Sequence, residues 1–280
     1  MTVITVSLAT VACGRPMDPN AQRERTLAAF ADASGRLERS RIFFAHQSVG
    51  ENVVEGVAAL QRDSRASSLH VVDLTAAESA PGGFFAHARL GENGYPKGKT
   101  DAFVSALEGG LGRHTDMAFQ KYCFVDIDAQ TNVQQLFDYY RGAMNRVRQE
   151  FPHLRLVHVT APLVHVQSGP RAVVKRLIGR APDHYEDNMA RERFNTLMRS
   201  EYRGREPVFD LAAIEASRPG ERPTPLRFHD SDVFELLPDY AAADGAHLNE
   251  IAQKRIATEL LVFLANVMAD SDAHLTTAAR

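Results

Sequence analysis

The sequence has no tryptophan and only two cysteines among its 280 residues. Cys13 and Cys123 are far apart and neither has a partner at zinc-ligand spacing, which excludes a disulfide framework and argues against a structural zinc site. Positive charge is not in excess, because 32 Lys and Arg face 35 Asp and Glu, giving a formal net charge of −3. The composition therefore gives no support for a nucleic-acid partner.

The sequence also lacks a long hydrophobic run. No segment reaches the roughly 18 apolar residues that a membrane-spanning helix needs. Hydrophobic residues make up 44% and charged residues 24%, which is ordinary for a globular protein and excludes long disordered or collagen-like structure. The length fits one large domain or two small ones.

The first residues form a separate segment. Residues 2–12 are small and apolar and precede Cys13, a pattern that resembles the end of a bacterial lipoprotein signal. Thr10 stands where that pattern prefers leucine, and no Lys or Arg precedes Arg15. We expect residues 1–17 to direct export, with Cys13 lipidated and the protein periplasmic or anchored to a membrane. The alternative is an apolar N-terminal segment, or a first strand, of a cytoplasmic protein.

Short apolar runs alternate with helical periodicity through most of the chain, which is typical of parallel strands covered by helices on both faces. This pattern predicts a three-layer α/β/α domain with a mainly parallel, five-stranded, flavodoxin-like sheet of strand order 2-1-3-4-5. The predicted strands are 41–46, 69–74, 118–126, 154–160 and 207–211, and the principal predicted helices are 18–32, 51–62, 101–108, 133–150, 186–202 and 249–268.

A single domain is expected over residues 18–270, followed by a C-terminal tail at 271–280. Residues 165–185 are basic and irregular, which predicts an insertion whose charges indicate a solvated helix face more than an anion-binding lid. The basic residues of this insertion include Arg171, Lys175, Arg176 and Arg180. The glycine-rich segment 79–99 and the proline-rich segment 217–238 predict loops.

Ser48 follows the first strand and stands where a helix begins. Free backbone N–H groups and the positive end of the helix dipole stabilise an anion there, so the position suits a nucleophile. Gly50 would let a substrate approach the backbone closely. The alternative is that Ser48 is a helix N-cap.

Asp244 precedes His247 by three residues, directly before the last helix. A carboxylate at that spacing can reach the Nδ1–H of the imidazole, fix its tautomer and leave Nε2 free to take a proton from a hydroxyl. The alternative is a surface aspartate and a histidine near a helix start. The predicted strand order brings this motif and Ser48 to the same edge of the sheet.

With these two motifs the sequence resembles the SGNH (GDSL-type) hydrolase superfamily. In that family a Gly-Asp-Ser-Leu-like block follows the first strand and an Asp-x-x-His block precedes the final helix. Here the sequence HQSVG (46–50) and residues 244–247 stand in those places. The resemblance covers about residues 41–268. It implies a metal-free and cofactor-free triad of Ser48 as nucleophile, His247 as base and Asp244 as orienting residue.

The oxyanion donors of the family match less well. The resemblance implies a glycine N–H from the loop after the second strand, for which Gly94 is the first candidate and Gly91 the second. The asparagine that the family has after the third strand is absent, and Asp126 lies in that region, where an ionised carboxylate would repel an oxyanion. Asn93 or Asn132 is a replacement donor, although Asn93-Gly94 also fits a plain turn.

His46 and Gln47 replace the Gly-Asp of the family block. His46 is two residues from Ser48 across a strand end, which makes a direct Ser–His pair difficult to close. We expect His46 to line the wall of the site or support it from behind, or to pack as a strand-end side chain.

These features predict a serine esterase that hydrolyses small acyl esters. The resemblance and the expected export together imply deacetylation of carbohydrate. Two alternatives stay open: a carbohydrate O-acyltransferase with the same triad, and a catalytically degenerate glycan-binding lipoprotein of the envelope. The expected partner is a small-molecule or carbohydrate ester, with no nucleic acid and with membrane anchoring only through Cys13.

Overall fold

The computed structural model describes residues 19–64, 68–77, 80 and 82–278. The expected export signal with Cys13 lies outside these residues, as do the last two residues of the expected tail. The remaining residues of that tail continue the last helix, which runs from Glu250 to Ala278.

The core of the fold is a parallel sheet of six strands in the order β2-β3-β1-β4-β5-β6. The strands are β1 (Arg41–His46), β2 (Val71–Asp73), β3 (Phe84–Arg89), β4 (Met117–Gln120), β5 (Arg155–Val159) and β6 (Val208–Phe209). Helices cover both faces, so the predicted three-layer α/β/α class is confirmed. The five predicted strands keep their predicted order, and the structure adds β3 between the second and the first of them.

The added strand lies inside the segment 79–99, which was expected to be a loop. Phe84–Arg89 pairs with the whole length of β1, and Phe84, Phe85 and Ala86 are buried. The preceding Gly83 is not a sign of a loop here, because a Cβ at that position would lie 2.3 Å from the carbonyl oxygen of Glu38. The glycine allows the chain to pass the end of the first helix closely and enter the sheet.

The helices form two layers. One face of the sheet carries α1 (Pro19–Leu37), α2 (Ser48–Ser64) and α9 (Glu250–Ala278), and the other carries α4 (Pro96–Glu108), α5 (Val133–Glu150) and α7 (Tyr185–Tyr202). The short helices are α3 (Leu74–Ala77), α6 (Pro170–Leu177) and α8 (Leu211–Glu215). None of the helices in the described part of the chain is both long enough and apolar enough to cross a bilayer.

Three expectations about irregular segments are corrected. The strand expected over 118–126 ends at Gln120, and residues 124–126 form a 3-10 turn around the buried carboxylate of Asp126. The insertion 165–185 is not irregular throughout, because it contains the helix α6, whose exposed basic residues agree with the solvated helix face expected there. The loop 217–238 contains a small antiparallel hairpin. The strands of that hairpin are β7 (Leu226–Phe228) and β8 (Ser231–Val233).

The packing of α2 against α9 depends on Gly56. A Cβ at this position would lie 2.3 Å from the carbonyl oxygen of Gln253 and 3.1 Å from the Cβ of Ala257. Both neighbours belong to the helix α9, so the two backbones approach each other closely. This contact fixes the position of α2, whose first residue is Ser48.

We expect Gly56→Ala to lower the free energy of unfolding by about 1–3 kcal/mol, because a backbone carbonyl cannot yield without separating the helices. Gly142→Ala in α5 is the matched control, since nothing lies within 4 Å of a Cβ there. That change should be neutral or stabilise by up to about 1 kcal/mol. Urea unfolding measures both, and equal effects of the two substitutions would contradict the close approach.

Candidate active site

Ser48 is the first residue of α2 and follows directly on the buried strand β1. The carbonyl of Gln47 accepts the N–H groups of Gly50 at 2.7 Å and of Glu51 at 3.3 Å, which closes the first turn. The N–H groups of Ser48 and Val49 precede these and have no partner within the helix. A half-buried hydroxyl therefore stands at a positive helix end, beside two N–H groups that make no backbone hydrogen bond among the described residues.

The hydroxyl of Ser48 contacts a thiol. Its Oγ lies 3.1 Å from Sγ of Cys123, which is completely buried. Ser48 is thus not an N-cap for its own helix, since its hydroxyl is directed to the segment after β4.

Asp244 and His247 are joined in the turn before α9. Asp244 Oδ2 lies 2.5 Å from His247 Nδ1, while Oδ1 accepts the N–H groups of Ala246 at 2.9 Å and His247 at 3.0 Å. Gly245 between them has φ of +73°, a conformation that glycine adopts without strain and that folds the carboxylate back over the turn. The geometry expected for this motif is present.

The environment keeps Asp244 ionised. Partial burial acts to raise the pKa of its carboxyl, but the N–H groups of His247 and Ala246 and the His247 ring together lower that pKa to about 2. The ring of His247 then presents Nδ1 to a permanent negative charge. Its Nε2 makes no hydrogen bond within the described residues.

Two contacts bring the His247 turn to the Ser48 end of α2. Asn52, four residues beyond Ser48, accepts the N–H of Leu248 through Oδ1 at 3.2 Å. The His247 ring packs edge-on against Phe124 with 5.4 Å between centroids, and Phe124 follows Cys123 directly. Ser48 and His247 do not hydrogen-bond to each other among the residues that the structure describes, so the Ser–His contact of a working triad is not formed here.

Asp126 has a structural role that the sequence did not predict. Its buried carboxylate accepts Lys99 Nζ at 2.5 Å, the Cys123 N–H at 2.6 Å and the Gly94 N–H at 2.8 Å. The proposed repulsion of an oxyanion therefore does not arise from a free carboxylate, because three donors satisfy it. The same bond corrects the expectation for Gly94, whose N–H is committed to Asp126 and is not a free oxyanion donor in this structure.

Each of the other oxyanion candidates accepts a hydrogen bond through an oxygen atom. Asn93 Oδ1 accepts Lys99 Nζ at 2.8 Å, and its exposed amide nitrogen remains. Gly91 accepts Gln47 Nε2 at 2.7 Å through its carbonyl, and a Cβ there would meet Lys99 at 2.7 Å. Asn132 caps α5 by accepting the N–H of Gln135. Among the described residues all three keep a donor without a hydrogen bond, the Nδ2 of Asn93 and of Asn132 and the N–H of Gly91, so all three stay candidates.

His46 lies beneath the first turn of α2. Its Nε2 is 3.1 Å from Nδ1 of His87, and burial, followed by the charges of His87 and Lys121, lowers the pKa of His46 to about 3. A Cβ at Gly50 would lie 2.3 Å from the Cβ of His46. Gly50 thus makes room for a neutral histidine, which corrects the expectation that it opens a path for substrate.

Sequence reasoning missed two buried titratable groups near the site, Lys121 and Glu215. Burial lowers the pKa of Lys121 to about 8, although the nearby Cys123, Asp126 and Glu215 oppose that shift. Burial raises the pKa of Glu215 to about 8, although the hydrogen bond that its carboxyl accepts from the N–H of Leu163 acts to lower that pKa. The available signal was a lysine directly after an apolar strand.

Arg191 was also missed. This residue of α7 is buried and donates to the carbonyl of Phe124 through Nε at 3.0 Å and Nη2 at 2.8 Å. Phe124 is the ring on which His247 packs, so Arg191 fixes one wall of the site.

A separate group of serine, histidine and carboxylate side chains lies next to the Asp244–His247 turn. Nε2 of His165 is 3.4 Å from Oγ of Ser168, and Nδ1 of His165 is 2.8 Å from Glu235 without hydrogen-bond geometry. The N–H of His165 donates to the carbonyl of Gly245 at 2.8 Å. The long Ser168 contact and the poorly oriented carboxylate make this arrangement less suited to proton transfer than the Asp244–His247 pair.

No protein-family model and no curated protein matches the chain. Solved structures with a related arrangement include a candidate platelet activating factor from Streptococcus pneumoniae, 13% identical, covering 86% of this chain and 92% of that one, with a TM-score of 0.45. A candidate lipolytic protein of the G-D-S-L family from Desulfitobacterium hafniense is 8% identical over 81% and 99%, with a TM-score of 0.45. The lipopolysaccharide acetyltransferase periplasmic domain of Salmonella ser. Paratyphi A is 8% identical over 85% and 92%, with a TM-score of 0.41. Sequence identities and TM-scores this low do not assign an activity to the chain.

We expect Lys99→Met to lower the free energy of unfolding by about 3–5 kcal/mol, because it leaves the buried Asp126 carboxylate without its counter-charge. Lys97→Met, on the more exposed side of the same helix, is the control and should cost no more than about 1 kcal/mol. Urea unfolding distinguishes them. If both substitutions lower the free energy of unfolding only slightly, the Lys99–Asp126 pair does not hold the segments around Gly94 and Cys123 together.

Proposed function

We propose that the protein is a serine hydrolase of the SGNH type that cleaves ester bonds. The observation that carries the proposal is the Asp244–His247 pair at the sheet edge where Ser48 begins α2, with 2.5 Å between Oδ2 and Nδ1. Among the described residues, Nε2 of this histidine makes no hydrogen bond. A carboxylate-oriented imidazole beside a helix-terminal serine is the arrangement that nucleophilic acyl transfer requires.

In the proposed reaction, Ser48 Oγ attacks the carbonyl carbon of an ester while His247 Nε2 takes the hydroxyl proton. Asp244 stabilises the resulting imidazolium. The tetrahedral intermediate collapses, the C–O bond to the alcohol breaks, and His247 returns the proton to the leaving oxygen. Water then attacks the acyl-enzyme with the same proton transfers, which releases the acid and restores Ser48.

The developing oxyanion is assigned to the first turn of α2. The free N–H groups of Ser48 and Val49, together with the positive end of the helix, supply donors next to the nucleophile. Asn93 Nδ2 is the proposed additional donor, since its Oδ1 is held by Lys99. This assignment replaces the Gly94 N–H, which Asp126 holds.

The reaction requires one rearrangement. The Ser48 hydroxyl has to leave its 3.1 Å contact with the Cys123 thiol and hydrogen-bond to His247 Nε2. A serine hydroxyl reaches a new direction by rotation about χ1 alone. Hydrogen bonds between catalytic groups commonly form only when substrate is present.

The proposed substrates are small acyl esters, with acetyl groups on carbohydrate as the first class to test. This part rests on the family resemblance and on the expected export of the protein, whose signal and Cys13 lie outside the described residues. Export and lipid anchoring through Cys13 stay predictions.

A non-catalytic, glycan-binding role is the second candidate. Two observations favour it: the Ser48 hydroxyl points to Cys123, and the Gly94 N–H is occupied. In that role the cleft would hold an ester or a glycan without turnover, and Ser48→Ala would leave ligand binding intact.

We expect a fluorophosphonate probe to label Ser48, as mapped by peptide mass spectrometry. Labelling should disappear in Ser48→Ala and His247→Ala, and should slow by on the order of 10²–10⁴ in Asp244→Asn, because the imidazole loses its orienting charge. Ser168→Ala is the matched control and should label normally. A label on Ser168 would move the nucleophile to the His165 contact, and no label on folded protein would favour the binding role.

The acyl acceptor separates hydrolysis from transfer, since both pass through the same acyl-enzyme. With a chromogenic acetyl ester and a sugar oligomer in one mixture, we expect free acetate as the main product. Ser48→Ala should give neither product above background. Acetylated sugar as the main product would reject hydrolysis in favour of a carbohydrate O-acyltransferase.

A further inference from the structure

The main concentration of exposed apolar side chains in the described part of the chain lies on and just after α6. Leu177 is 80% exposed, Ile178 62%, Val174 57% and Val173 56%. Exposed large apolar residues elsewhere in the described residues, such as Ile251, stand singly. A contiguous exposed patch of this kind marks an interaction surface, whereas single residues do not.

The helix presents these side chains directly away from the protein. At about 100° per residue, Val173, Val174, Leu177 and Ile178 occupy an arc of about 140°. Ala172 lies nearly opposite the centre of this arc and is buried against the body of the fold. Within the described residues, therefore, no other side chain covers the apolar arc.

Basic side chains border the arc on both sides. On the helical projection Arg171 and Lys175 lie along one edge and Arg176 lies along the other, and Arg180 follows the end of the helix. Residues 165–182 contain no Asp or Glu. Lys175 forms an ion pair with Asp183, while Arg171, Arg176 and Arg180 are exposed and form no ion pair within the described residues.

An apolar stripe with arginines on both borders matches an anionic lipid surface. The stripe enters the boundary between headgroups and acyl chains, and the long basic side chains extend to the phosphates. A second copy of the chain fits less well, because a symmetric contact would bring the two sets of basic borders together. We propose that α6 docks the protein on anionic bilayers through this patch, here called the α6 patch (Val173, Val174, Leu177 and Ile178 with their basic borders).

A short segment of chain connects the patch to the candidate active site. His165, whose N–H is bound to the carbonyl of Gly245, precedes α6 by only five residues. The proposal rests on the α6 patch alone and does not require that Ser48 is catalytic.

Vesicle sedimentation of the full chain with Cys13→Ala tests the proposal without a lipid anchor. We expect binding to vesicles of equal parts phosphatidylcholine and phosphatidylglycerol, little binding to phosphatidylcholine alone, and loss of binding at high ionic strength. Leu177→Asp should reduce the fraction of protein bound to vesicles at least about tenfold, because it removes the apolar leucine side chain that would be buried in the bilayer and puts a charge in its place. Ile251→Asp is the matched control and should bind normally.

A charge-reversal pair separates electrostatic docking from apolar contact. Arg171→Glu with Arg176→Glu should abolish the preference for phosphatidylglycerol, while Arg193→Glu, an exposed arginine on α7, should leave it unchanged. Ser48→Ala should bind vesicles as the parent does, whichever function the cleft has. Absence of vesicle binding, or binding unaffected by Leu177→Asp, would overturn the proposal. A dimer that Leu177→Asp dissociates would assign the patch to a second copy instead.

Discussion

The buried carboxylate of Asp126 holds together the two loops that meet beside Ser48. Lys99, the Gly94 N–H and the Cys123 N–H all donate to it, so the start of α4, the segment around Gly94 and the end of β4 are fixed to one charge. Such a charge is tolerated in the interior only when it is fully compensated, and this requirement leaves the loops one favoured arrangement. The position of Cys123 against Ser48 and of Phe124 against His247 follows from it.

The parallel sheet supplies the other constraint. Ser48 follows β1 and Cys123 follows β4, 75 residues later, and these neighbouring strands end at the same edge. The turn with Asp244 and His247 reaches that edge because α9 packs closely on α2 and Asn52 binds the N–H of Leu248. Chemistry at this edge then depends on the direction of one serine hydroxyl, which has a thiol on one side and an oriented imidazole nearby.

Several expectations failed for the same physical reason, which is that a residue type does not reveal its partner. Gly83 lies in a glycine-rich segment that was expected to be a loop, but it makes room for the end of α1. Gly50 was expected to give substrate access to the backbone, but it makes room for His46. Asp126 was considered as a charge that faces the site, whereas Lys99, 27 residues earlier, turns it inward. Glu215 looked ordinary in the sequence because burial alone gives it an unusual pKa.

The sequence by itself determined the three-layer class, the order of the five predicted strands and the local Asp244–His247 turn. These depend on periodicity and on spacing within a few residues, which are properties of short segments. The structure alone decided the insertion of β3 beside β1, the inward role of Asp126, the contact of Ser48 with Cys123 and the outward apolar face of α6. Each of these depends on contacts between distant segments or on what the fold leaves uncovered, and no local pattern contains that information.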